Sequence, residues 1–240
     1  NSLISMLKDV DKEVRKTTIL VLSGLGNTRL INPILSMLQD VEEDVRKTTI
    51  IVLSKLGNSC PIDPLLTLLK DVDKDVRLTT VMLLKELRDT RAINGLIESL
   101  KDPVWMVRGR AAYALGNFND ERIVEALLPL LNDEDPFVIG SAAAVLGKLR
   151  SIKAVEPLIS ALKYRKKDDK NYDYVANALN KISGLGFSYD TERWEKWWEE
   201  YKLKDVHLRK WFWFVNKSDM ENFTFFYKIR NKSMKIVYPN

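Results

Sequence analysis

Apolar residues in this chain fall on a helical rhythm that stops and restarts at a fixed interval. Ile31, Ile34, Leu35 and Leu38 follow i, i+3, i+4, i+7 spacing and mark one stripe of a helix. A polar break, D-V-E-E-D over Asp40 to Asp44, follows, and then Val45, Thr49, Ile50, Leu53 and Leu56 stripe a second helix. Pro33 lies in the first turn of the first helix, where a missing N–H costs nothing, and Gly57-Asn58 ends the second. The break carries a recurring phrase: L-K-D-V-D-K-E-V-R from Leu7 to Arg15, again at Leu38 to Arg46 and Leu69 to Arg77, more loosely at Leu100 to Arg108, and degenerate at Leu131 to Ile139. Its closing valine stands at 14, 45, 76, 107 and 138, in steps of 31. Two helices per unit at that period predict a solenoid, because neither helix can bury its stripe alone and each unit must borrow surface from the next.

The motif is specific enough to resemble a known family. D-x-x-x-x-V-R between paired helices, followed by A-A-x-A-L-G at Ala111 to Gly116 and A-A-V-L-G at Ala143 to Gly147, is similar to HEAT repeats of the short, phycobilisome-lyase-like subclass. The resemblance covers residues 1–184 and implies an all-α, right-handed solenoid of about six helix pairs, the first of them incomplete. Units one to three carry Thr17-Thr18, Thr48-Thr49 and Thr79-Thr80 where the family has a small alanine pair, so helix packing there is expected to be wider or hydroxyl-bonded. The sixth unit starts at Ala154 and has a charged inter-helix loop, Tyr164 to Asp173.

The rhythm changes after Gly184. Trp194, Trp197, Trp198 and Tyr201 recur at i, i+3, i+4, i+7 behind a capping Asp190 or Thr191, which predicts a Trp-rich closing helix within residues 185–201. Such a helix would cover the exposed end of the array. From residue 202 to 240 there is no repeat, and R-K-W-F-W-F-V, F-T-F-F-Y-K-I and M-K-I-V-Y between turn-forming N-K-S-D and R-N-K-S read as a basic aromatic tail forming a small β-meander or hairpin on the last helix pair, with a partly disordered extension as the alternative.

Charge sharpens this division. The net +5 of the chain sits in residues 201–240, which hold nine Lys/Arg against three Asp/Glu, leaving 29 against 30 in residues 1–200. An electroneutral array argues against a phosphate-binding track along its length. No apolar run approaches the roughly 18 residues that span a bilayer, and Asn1 leads into a repeat instead of a signal peptide. The single cysteine, Cys60, fits a reducing, cytoplasmic setting.

Candidate chemistry is sparse. His207 is the only histidine, which excludes a His-rich metal site and a His-containing triad, and no cofactor or metal is implied. The acidic turns lack the glycine and terminal glutamate of a calcium loop. Asp9, Asp40, Asp71 and Asp102, each six residues before Arg15, Arg46, Arg77 and Arg108, read as a structural Asp–Arg ladder binding unit to unit. The remaining candidate is the outward face of the second helices, which the HEAT resemblance makes the concave surface. It presents Leu20, Ile51, Lys55, Met82, Arg110, Tyr113, Asn117 and Lys148, an aliphatic strip beside an Arg–Tyr pair that suits a peptide or partner protein. A non-catalytic protein-interaction scaffold is therefore the first functional expectation. A bilin-lyase-like enzyme or chaperone subunit, and nucleic-acid binding through the basic tail, are the rivals. The oligomeric state is unreadable.

Overall fold

In the computed structural model residues 2–55, 60–163 and 172–214 are described; they contain helices and no strand. Six helix pairs follow one another. The first is α1 (Ser2–Ser5), extended by a 3-10 turn over Met6–Lys8, with α2 (Lys12–Gly24). The next four are α3 (Ile31–Ser36) with α4 (Glu43–Ser54), α5 (Ile62–Leu68) with α6 (Lys74–Leu87), α7 (Ala92–Ser99) with α8 (Trp105–Leu115), and α9 (Arg122–Leu127) with α10 (Pro136–Lys148). The sixth is α11 (Val155–Lys163) with α12 (Tyr172–Ser183), and α13 (Thr191–Phe214) closes the array. The second helices pack in series, α2 on α4 on α6 on α8 on α10 on α12. One continuous core runs through all six units, and the phrase valines Val45, Val76, Val107 and Val138 lie fully inside it.

The polar phrase makes each turn by satisfying its backbone. Oδ1 of Asp9, Asp40, Asp71, Asp102 and Asp133 accepts the N–H two residues on at 2.8 to 2.9 Å. A second aspartate then caps the following helix in units one, three and five: Asp11 accepts from Glu13 N–H, Asp73 from Asp75 and Val76, and Asp135 from Phe137, whereas Glu42 at the same place in unit two makes no such bond.

The ladder exists, with a register the spacing alone does not reveal. Arg15 pairs with Asp40 of the next unit, through Nε at 2.7 Å and Nη2 at 2.8 Å, not with the carboxylate of Asp9. Arg46 holds Asp71, Arg77 holds Asp102 and Arg108 holds Asp133 in the same bidentate fashion. Each arginine spends its remaining nitrogen, Nη1, on carbonyls of its own turn, as Arg15 does on Asp9 at 2.8 Å and Val10 at 3.1 Å. So the phrase aspartate serves its own arginine through its carbonyl and the previous unit's arginine through its carboxylate. Asp133 is a fourth acceptor that the expected set omitted, and Asp9 lies outside the carboxylate pairs. Both partners are nearly buried, with Arg46 and Asp71 side chains 9% and 8% exposed, so the pairing is desolvated rather than a surface decoration. The aspartate hydrogen bond raises Arg15, Arg77 and Arg108 above the ordinary guanidinium range.

Helix packing follows residue size. Thr18, Thr49 and Thr80 are buried and donate their hydroxyls to Val14, Val45 and Val76 carbonyls one turn back at 2.7 to 2.8 Å, so the second threonine of each pair is hydroxyl-bonded. Ala111, Ala112, Ala142, Ala143, Ala176 and Ala178 let α8, α10 and α12 approach more closely. At Gly147 an added Cβ would lie 2.7 Å from the Ala178 Cα, so only glycine fits that crossing.

The closing helix begins where capping chemistry places it. Asp190 Oδ1 accepts the Arg193 N–H at 3.0 Å, and α13 packs on α11. Trp194 is fully buried and its Nε1 donates to the Ser188 carbonyl at 2.9 Å, while Trp197 and Trp198 are partly exposed and ring-packed with Tyr201. The helix does not stop at residue 201. It runs to Phe214, which corrects the strand expected over Arg209 to Val215: no glycine or proline interrupts residues 191–214, so nothing ends the helix despite the aromatic content. The remainder of the expected meander, residues 215–240, and most of the charged loop at 164–173 lie outside the described residues. Among the described residues no helix is long and apolar enough to cross a membrane.

Candidate functional site

Second helices bury one face between neighbouring units and leave the opposite one open. In α4, Ile50 and Leu53 are 1% and 0% exposed while Ile51 between them is 54% exposed, so the side chain roughly a third of a turn from the core direction points outward. Leu20, Met82 and Tyr113 occupy the equivalent positions of α2, α6 and α8 and are exposed to about the same degree.

Three of these converge. Ile51, Met82 and Tyr113, with Ser54, Thr79, Glu86 and Arg110, line a groove of about 400 Å³ spanning units two to four. Leu20 continues the row beyond the groove, and Lys55 is exposed at the end of α4. Asn117 and Lys148, expected on the binding face, are turned to the preceding unit instead. Asn117 Nδ2 donates to the Lys85 carbonyl at 3.3 Å and Lys148 Nζ to the Gly116 carbonyl at 2.5 Å. The last carbonyls of a helix lack intrahelical donors, and these side chains supply them.

The charges at the groove differ in how they are answered. Lys85 Nζ pairs with Glu86 at 2.9 Å and stands 5.4 Å from the centroid of the Tyr113 ring; the pairing holds the Glu86 carboxyl below the usual range. The Arg110 guanidinium lies over the Phe137 ring, 5.4 Å from its centroid, and makes no carboxylate pair among the described residues. Phe137 is in turn edge-on to Trp105 at 5.6 Å, and its ring fills the space left by Gly109, where a Cβ would come within 2.4 Å. Lys85, Trp105 and Phe137 were missed as contributors. A signal for them stands in the repeat: the residue before the phrase valine is Glu13, Asp44 and Asp75 in units one to three, and becomes Met106 and Phe137 in units four and five. In units one and two that acid binds the lysine three residues on, Lys16 to Glu13 and Lys47 to Asp44, each at 3.0 Å. In unit four the acid is gone and the lysine position becomes Gly109, while the cation stands one residue on, at Arg110, with no acid one turn before it.

A larger cavity, about 710 Å³, lies between α11 and α13 beside Ile152, Lys153, Glu156, Trp198, Tyr201 and Lys202. Its polar groups already answer one another or their neighbours: Lys153 pairs with Glu125 at 2.5 Å, Lys202 with Glu199 at 2.6 Å, and Trp198 Nε1 with Glu156 at 3.5 Å. The smaller groove therefore has the stronger claim to a ligand. Cys60 is buried, and desolvation pushes its thiol above the ordinary range, away from nucleophilic reactivity. Among the described residues no group of three or more His, Cys, Asp or Glu could hold a metal ion.

Comparison with known proteins bears on the fold. The family described as HEAT repeats matches residues 1–85, 62–122 and 93–179. No curated protein matches the sequence. Similar solved structures include a designed armadillo repeat protein in complex with the peptide (KR)4, 19% identical, covering 76% of this chain and 98% of that one with a TM-score of 0.54. The Escherichia coli protein YibA is 21% identical over 76% of this chain and 67% of its own, with a TM-score of 0.59. The complex of CpcE and CpcF of phycocyanin lyase from Nostoc is 21% identical, covers 63% of this chain and 99% of that one, and reaches a TM-score of 0.49, too low to carry an argument. At such identities the likeness concerns the fold alone.

Proposed function

The chain belongs to the HEAT-repeat family, and from that premise we propose that it is a non-catalytic scaffold that captures another protein along the second-helix face, the surface that HEAT curvature makes concave. The observation that carries this reading is the groove of units two to four, where Ile51, Met82 and Tyr113 stand half exposed side by side instead of buried. Isolated apolar side chains on a surface mean little, but a contiguous row rimmed by charge is the anatomy of an interaction site. Successive helices in such an array lie roughly 10 Å apart, a spacing that an extended or helical segment can follow with alternate apolar side chains. The designed armadillo relative, whose structure holds a peptide, illustrates that this general architecture accommodates one.

Co-precipitation from an extract of the native cells, with the wild-type chain and with Met82→Glu combined with Tyr113→Ala, tests it. Both side chains are exposed, so the double variant should melt like the wild type while losing its partner. Capture that survives the double change sinks this reading. A salt-sensitive affinity for single-stranded oligonucleotide, removed by neutralising Arg209, Lys210, Lys228 and Arg230, would support the basic tail as the working part instead.

A further inference from the structure

Resting on the scaffold reading, we infer that the captured segment carries a carboxylate side chain flanked by aliphatic residues, and that Arg110 is the residue that selects it. The four ladder arginines are answered by aspartates and Lys85 by Glu86, whereas Arg110 lines the groove with no carboxylate partner among the described residues. Its guanidinium rests on the Phe137 ring, which is itself held by Trp105 and seated over Gly109. Stacking fixes the plane of a guanidinium and leaves its edge of N–H donors for a ligand, and that fork matches the two oxygens of a carboxylate.

The surroundings set what accompanies the acid. Ile51, Met82 and Tyr113 form the apolar wall beside Arg110, so aliphatic residues next to the carboxylate gain burial while excluding water from the ion pair. On α6 the Lys85–Glu86 pair is already closed and offers an acid no free donor, so the carboxylate goes to Arg110 at the unit-four end, which gives the segment a direction. A basic peptide of the (KR)4 kind would set its cations against Arg110. A polyanion finds only one unanswered cation in the groove, on an array with 29 basic against 30 acidic residues over 1–200.

The test is selection of a random twelve-residue peptide library displayed on phage against the full chain, with Met82→Glu/Tyr113→Ala as the counter-target. Enriched peptides should hold Asp or Glu beside Leu, Ile or Val. The best of them, synthesised with an amidated C-terminus, should bind about tenfold or more tightly than its Glu→Gln (or Asp→Asn) counterpart. Arg110→Met should erase that preference while keeping the aliphatic one. Groove-dependent peptides that are basic or uncharged, or a carboxylate preference that persists in Arg110→Met, overturn the inference and leave the scaffold reading standing. A library that yields no groove-dependent peptide overturns both.

Discussion

At the scale of residues, the turns between paired helices rest on positions that act through a hydrogen bond rather than through bulk. Val10, Val41 and Val72 are 99%, 87% and 95% exposed, and what they contribute to the turns of units one to three is a backbone carbonyl, which takes Arg15, Arg46 and Arg77 Nη1 at 3.1, 3.1 and 3.3 Å and asks nothing of the side chain. Unit four tolerates Pro103 at the same place, since proline keeps its carbonyl. Arg46→Ala would leave Asp71 buried without its cation, and a loss of about 3–5 kcal/mol is expected in urea unfolding; Val41→Ser, measured alongside, should stay within about 0.5 kcal/mol. That the arginines and aspartates belong together was legible from their recurrence. Which aspartate each arginine takes was not, because a spacing of six along the chain and one of 25 across the stack are equally periodic, and only the packing of units decides between them. A second set of acids responds to pH. Hydrogen bonds from the Arg91 and Arg122 side chains hold the Asp89 and Asp120 carboxyls below the usual range. Their folded pKa lies under the unfolded one, so their contribution is complete above the ordinary aspartate range near 4 and fades as pH falls through the folded value. Melting temperature should decline below about pH 4, and Asp89→Asn with Asp120→Asn should flatten that decline.

At the scale of elements, the helix pairs were readable because 3.6-residue periodicity and capping acids agreed, and the pair boundaries fell where the phrase put them, the expected stop at Gly57-Asn58 lying outside the described residues. The closing helix was readable at its start and not at its end. Asp190 and the tryptophan spacing announce the first turns, whereas aromatic and β-branched residues beyond 208 suit a strand as well as a helix, and the absence of a helix breaker proved decisive. The three tryptophans also differ in weight. Trp194, fully buried with its indole N–H bonded to Ser188, should cost about 3–5 kcal/mol on change to alanine. Trp198, partly exposed and stacked on Tyr201, should cost about 1–2 kcal/mol in the same denaturation experiment. Equal losses would mean that α13 is held along its whole length instead of pinned by one ring.

At the scale of the whole molecule, an array in which each unit touches its neighbours makes a long surface from short elements, and the proposed binding site lies where that surface departs from its own repeat. Leu20, Ile51, Met82 and Tyr113 follow from the period and were found by counting. The Arg110 environment was harder to see, because it arises from three departures at once: Gly109, the aromatic Phe137 in place of an acid, and Trp105 beside it. None has meaning alone, and their juxtaposition appears only when units four and five are stacked. Two exposed apolar rows now compete for a partner, the groove row and the valine row on the turns. Methyl NMR of the chain labelled at Ile, Met and Val, titrated with the selected carboxylate-bearing peptide, separates them directly. Shifts at Ile51 and Met82 with Val10, Val41 and Val72 unmoved are the expected result; shifts on the valine row with Ile51 and Met82 unmoved would contradict the assignment of the second-helix groove as the binding face.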